Sequence, residues 1–164
     1  MDSPPVAATK EVPMACAKLQ EFLDEENVQY VLMKHSPAFT AQEVAAVAHI
    51  PGHELAKTVV VKLDGKMALV VLPAPEMVRM SHLKAVTGAR EVELATEEEF
   101  KHTFPDCEVG AMPPFGNLYG LETLVEESLT EDEDIAFNAG THTELVRMAY
   151  RDFERLARPR VLEG

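Results

Sequence analysis

The chain has 164 residues, 46% of them apolar and 26% charged, which is enough to close one hydrophobic core. Its 28 acids against 15 lysines and arginines leave a formal net charge of −13, which excludes a nucleic-acid binder acting through a broadly basic surface. Two cysteines, Cys16 and Cys107, lie far apart without a CxxC pattern and exclude a disulfide framework, while no apolar run is long enough for a transmembrane helix.

Residues 1–12 hold two acids, two prolines and no apolar core. They read as a loose tail and not as a signal peptide, so a cytoplasmic protein is expected, with one domain over 13–164. "MACAKLQEFLDEENV" carries Cys16, Leu19, Phe22 and Leu23 at helical spacing, and "QYVLMKH" follows as a short strand. "TAQEVAAVAHI" opens with the capping box Thr40 and Glu43 and predicts a second helix, stopped by Pro51-Gly52.

"ELAKTVVVKLDGKMALVVLPA" is the clearest hairpin, because Asp64-Gly65 supplies the positive φ angles of a type I′ turn. Lys57 stands at the threshold of its apolar part. "MSHLKAVTG" predicts a short helix closed by Gly88, "REVELA" a strand, and "TEEEFKHTF" a helix with its own capping box, Thr96 and Glu99. Phe100 and Phe104, one turn apart, are expected to face the core together. "PDCEVGAMPPFGNLYG" is a glycine-proline loop; strands at "LETLVEE", "DIAFNAG" and "TELVRMAY" and a helix at "RDFERLA" close the chain. The irregular alternation predicts an α/β fold with a mixed sheet and helices around it, not a doubly wound parallel sheet.

Chemistry is scarce. There is no G-x-S-x-G elbow, no phosphate loop and no G-x-G-x-x-G. His49 and His53 are four apart, but Pro51-Gly52 breaks the helix that would align them for a metal. Glu97 to Glu99 suit a helix N-terminus, and Glu131 to Asp134 a solvated turn. No metal or cofactor is expected. Taken singly, Lys57 reads as a snorkelling strand-end lysine and "NAGTH" as a surface turn.

Together and in order, "HSPAFTAQEVA", "LAKTVVVK", "LVVLPA", "GAMPPFG", "VEESL" and "FNAGTHTELVRM" resemble the YbaK/prolyl-tRNA synthetase editing-domain family, from about Ala17 to Pro159. The resemblance implies a mixed, mostly antiparallel sheet or barrel surrounded by helices. It also implies a trans-editing deacylase that hydrolyses mischarged tRNA, such as tRNA(Pro) carrying alanine or another small amino acid. Lys57 then lines the editing pocket. Gly110, opening the G-x-x-x-P loop with Met112 and Pro114, holds the aminoacyl carbonyl on backbone N–H groups. Asn138, Gly140 and His142 form a second loop, with His142 in the catalytic set. Thr40, Met112, Pro114, Phe115, Asn138 and Gly140 bind substrate, and Met33, Val44 and Val47 are further candidate walls of a small pocket. The implied partners are the acceptor end of aminoacyl-tRNA and prolyl-tRNA synthetase, with neither membrane nor DNA. An activated ester needs a water, a polarised carbonyl and oxyanion donors, but no strong nucleophile. Two other readings stay open: a binding module for tRNA or a synthetase without turnover, and a hydrolase of small aminoacyl esters.

Overall fold

The computed structural model describes residues 17–34, 53–105 and 107–163. The predicted helix over 40–50, with Thr40, Val44 and Val47, lies outside them. The described elements are α1 (Ala17–Glu25), β1 (Tyr30–Lys34), β2 (Leu55–Leu63), β3 (Lys66–Pro73), α2 (Met80–Thr87), β4 (Val92–Leu94), α3 (Glu97–Phe100), β5 (Glu122–Glu126), β6 (Asp134–Asn138), β7 (Glu144–Ala149), α4 (Tyr150–Ala157) and β8 (Arg160–Leu162). One sheet runs β1-β7-β6-β2-β3-β5-β8, and β4 joins it by pairing with β2.

The sheet is mixed, as expected. β2–β3, β2–β4, β6–β7 and β1–β7 are antiparallel, whereas β2–β6, β3–β5 and β5–β8 are parallel. The β2–β3 hairpin turns at Asp64 and Gly65 with φ of 51° and 83°, the signs a type I′ turn requires. The Thr96–Glu99 capping box forms reciprocally, with hydrogen bonds of 2.8 and 3.2 Å. Its helix is a single turn, shorter than the predicted span, but Phe100 and Phe104 still pack edge to face at 6.2 Å.

Both faces of the β2–β3 hairpin are buried, which is why its sequence is nearly continuous valine and leucine. One face carries Val59, Val61, Ala68, Val70 and Leu72 and packs on Leu83 of α2, Leu124 and Leu162. The other carries Ala56, Val60, Leu69 and Val71. It packs on two clusters, one with Phe115, Phe137 and Phe153 and one with Phe100, Phe104 and Met112. Among the described residues no helix is long and apolar enough to cross a membrane.

Candidate functional site

Lys57 is the third residue of β2, directly opposite Leu72 of β3. Paired residues point to the same face, so its side chain shares the face of Val59, Val61 and Leu72. On the other flank β6 runs parallel, with Leu55 opposite Ala136 and Ala56 opposite Phe137. The pairing ends there, and the next residues along, Lys57 and Asn138, point to the same face without being paired. Asn138 in turn faces Leu145 of β7, and Leu145 faces Met33 of β1. Met33, Leu145 and Asn138 therefore form one transverse row on one face, at strand spacings of about 5 Å, and Lys57 continues it on the same face just past the last β2–β6 pair.

The electrostatics of this row are unusual in two respects. Lys57 is half-buried, and that burial holds its ammonium below the usual lysine range, the charge of Glu76 offsetting part of the effect. Among the described residues no carboxylate approaches it within the 4.0 Å of an ion pair. Glu76 is engaged elsewhere: the Ser128 hydroxyl donates to both its carboxylate oxygens, at 3.1 and 2.9 Å. Asn138 is half-buried, and its Oδ1 is shielded from water and has no hydrogen-bond partner among the described residues. Such an atom is costly unless something supplies a donor.

The glycine loop sits at the end of β6. Gly140 has φ of 100°, and its N–H donates to Ala111 O at 2.9 Å, while its own carbonyl accepts from Glu108 N–H at 2.7 Å. The two loops are thus zipped together. Glu108 also accepts the His142 N–H on Oε1 at 2.7 Å, and its carbonyl takes the Ala111 N–H at 3.0 Å. His142 Nε2 lies 2.9 Å from Val109 O; a carbonyl only accepts, so this nitrogen carries the proton. His142 is 9% exposed, and its Cε1 would lie 3.4 Å from a Cβ placed on Gly110. It braces the loop from beneath.

Gly110 itself is exposed, with φ of 88°, and its N–H donates to the Met112 thioether at 3.2 Å. A thioether is a weak acceptor, so a carbonyl oxygen can displace it. Ala111 N–H, by contrast, is already committed to a carbonyl, and Pro113 and Pro114 have none. The Gly110 N–H is thus a donor held by a weak acceptor and readily exchanged.

The structure thus sets Asn138 and Met33 in one row with Lys57 on the same face, and Gly110, Gly140 and His142 in one braced loop after β6. It does not bring Met112 and Phe115 to the row. Met112 packs with Val60 and Leu69 on the opposite face of β2 and β3. Phe115 is 0% exposed, its ring 5.4–5.7 Å from those of Phe22, Phe137 and Phe153. Phe115, expected to contact substrate, lies in the core, where it anchors the loop. Pro114 is buried beside it. Glu76, Ser128 and Glu108 are participants that sequence reasoning missed. Among the described residues no three His, Cys, Asp or Glu side chains converge as a metal site.

Comparison with known proteins gives a consistent result. The aminoacyl-tRNA editing domain matches residues 35–156. The proline–tRNA ligase of Bacillus mycoides (strain KBAB4) is 33% identical over 88 residues, 54% of this chain but 15% of the ligase. The chain thus matches only a small part of the length of these curated relatives. Among solved structures, a protein described only as hypothetical superposes with a TM-score of 0.79 at 21% identity, covering 88% of this chain and 96% of its own. A protein put forward as a trans-editing enzyme for prolyl-tRNA synthetase superposes with a TM-score of 0.76 at 19% identity, covering 90% and 94%. At these identities the two likenesses concern the fold.

Proposed function

We propose that this chain, which belongs to the aminoacyl-tRNA editing-domain family, hydrolyses the ester of mischarged tRNA in trans, acting on tRNA(Pro) that carries alanine or a similarly small amino acid. The observation that carries this reading is the Lys57 ammonium. It is half-buried, without a contact carboxylate among the described residues, and on the same sheet face as Asn138, whose Oδ1 has no partner among them. A partly desolvated cation gains most from an anionic ligand, and the terminal phosphate of a tRNA acceptor supplies one.

In this reading a water attacks the ester carbonyl carbon, losing a proton to solvent as its C–O bond forms, and the π electron pair moves onto the carbonyl oxygen. The Gly110 N–H leaves the Met112 thioether and donates to that oxyanion. The tetrahedral intermediate collapses by releasing the ribose oxygen, which takes a proton from solvent or the neighbouring ribose hydroxyl. The products are a free amino acid and an uncharged tRNA. Asn138 Oδ1 accepts a hydrogen bond from the bound acceptor end, and His142, through Val109, keeps the loop in register. The net charge of −13 favours contact limited to the acceptor end, with prolyl-tRNA synthetase supplying cationic surface for the rest of the tRNA.

The test is deacylation of a matrix of mischarged tRNAs by the purified protein. Alanyl-tRNA(Pro) is expected to be cleared fastest, and Lys57→Ala to lower kcat/KM by on the order of 10², a mid-range loss for one electrostatic partner. Wild-type rates from the Lys57→Ala protein would refute the assignment. Complex formation with no hydrolysis of any member would instead make the protein a binding module.

A further inference from the structure

Glu76 and Ser128 belong to two separate connections, and both are rigid. Glu76 lies just after β3, where its N–H donates to Pro73 O at 3.0 Å. Ser128 lies on the 3-10 turn Glu127–Glu131, which is pinned by fully buried Leu129 and by the Thr130 hydroxyl donating to Glu127 O at 2.6 Å. The three-centre hydrogen bond between them fixes the carboxylate of a long, exposed side chain that would otherwise sample several rotamers.

The other charged groups on the surrounding elements already have partners or lie on a different element. Glu54 is paired with Arg147 at 3.0 Å, and Arg147 also lies 3.8 Å from Asp134. Glu126, buried at the end of β5, is paired with Arg79 at 3.5 Å. Glu127 neighbours Ser128 on the turn, and His82 lies on α2. Of all these, Glu76 is the group whose charge bears on Lys57. Lys57 stands opposite Leu72, and the chain runs from there through Pro73 to Glu76, whose N–H returns to Pro73 O, so the carboxylate lies at the Lys57 end of the hairpin without closing to an ion pair.

We propose that Ser128 is a positioning residue that holds the Glu76 carboxylate back from Lys57, so that the ammonium feels a nearby anion but stays open to an anionic group of the substrate. Without the restraint, Glu76 is free to swing onto Lys57 and compete with the substrate phosphate. Ser128 thus prevents a self-inhibiting ion pair. The inference rests on the reading that Lys57 receives the acceptor end, but its structural half can be tested without any turnover.

The experiment compares wild type, Ser128→Ala, Glu76→Gln and the double variant. The Lys57 side chain is titrated by NMR of ¹³C-lysine-labelled protein, assigned with Lys57→Arg, and KM and kcat are measured on alanyl-tRNA(Pro). Ser128→Ala is expected to move the Lys57 midpoint to higher pH and to raise KM roughly threefold to tenfold, the scale of one partly exposed ion pair, with kcat little changed. Glu76→Gln is expected to move the midpoint to lower pH. In the Glu76→Gln background, Ser128→Ala should have no further effect, because no carboxylate remains to be released.

An unmoved midpoint in Ser128→Ala would overturn the proposal. So would equal effects of Ser128→Ala in both backgrounds. If none of the proteins hydrolyses any tRNA, the deacylase reading fails, while the titration still decides whether Ser128 restrains Glu76.

Discussion

Replacing Gly110 by alanine separates the loop's shape from its chemistry. At φ of 88° an L-residue is strained by about 1–2 kcal/mol. The new Cβ adds little to this, since its nearest neighbour, His142 Cε1, would be in ordinary contact at 3.4 Å. A domain of this size is stable by roughly 5–15 kcal/mol, so Gly110→Ala should fold and melt about 2–8 °C lower. The rate consequence should be larger. Strain transmitted in full to the transition state would slow hydrolysis about 5- to 30-fold, whereas an alanine that relaxes from the left-handed region turns its N–H away from the substrate and forfeits a preorganised oxyanion donor, at a cost on the order of 10²–10³. Gly65→Ala is the matched control: its φ is 83°, nothing lies within 4 Å of its Cβ, and it sits at the hairpin tip. Both variants should lose similar stability by calorimetry, and only Gly110→Ala should lose deacylation beyond about 30-fold. If the two variants match in kcat as well as in melting temperature, the left-handed conformation of Gly110 is not what aims an N–H at the oxyanion.

Phe115→Ala should cost about 3–5 kcal/mol, read by denaturant unfolding, because it empties the centre of a three-ring contact. The milder Phe115→Leu should keep the wild-type order of amino acids in the deacylation matrix; a stable variant that admits larger amino acids would put Phe115 back in the pocket wall. Lys57 loses its proton below the usual lysine pH, so binding of an acceptor hairpin carrying amide-linked alanine should weaken as pH rises toward that range. Lys57→Arg should flatten this limb, since a guanidinium stays charged. The stability contribution has the opposite sense. The charged form is penalised in the folded state, so the unfolded chain binds more protons and stability rises as Lys57 deprotonates.

Local features were the legible ones. Asp64-Gly65 and the Thr96–Glu99 box each encode their geometry within a few residues, and both form as read. α3 is shorter than its pattern because a capping box sets where a helix begins and not how far it runs. β8 escaped notice: three residues after Pro159 show no alternation, and it becomes a strand only because Leu124 to Glu126 offer a parallel edge. The candidate site divides the same way. Lys57 stood out as a charge at the start of an apolar run, but periodicity along one strand cannot say which face a distant loop will reach. Met112 and Phe115, adjacent to Gly110 in sequence, therefore read as pocket walls although they pack on the opposite face. The Ser128–Glu76 bond links positions fifty-two residues apart and leaves no sequence signal.

Placing the cation on one face and the base of the donor loop on the other raises a geometric question that β2 itself answers. Its outer edge pairs with β6 only at Leu55 and Ala56, and with β4 only from Val61 onward. Ala95 N–H caps Val60 O at 3.0 Å, so the stretch from Lys57 to Val59 has no strand partner on that side. Just there β6 turns away through Ala139 into Gly140, which is bonded to Ala111. Under the proposed function, a substrate would enter the opening left by the diverging strands, with Lys57 on one face and the Gly110 loop at the sheet's end. Ligands of open sheets commonly enter where neighbouring strands part, since backbone groups and loop ends converge there. An ester carbonyl lodged in this opening would have the Lys57 side chain and the Gly110 N–H on different sides, as a charge pair for the phosphate and a donor for the oxyanion require.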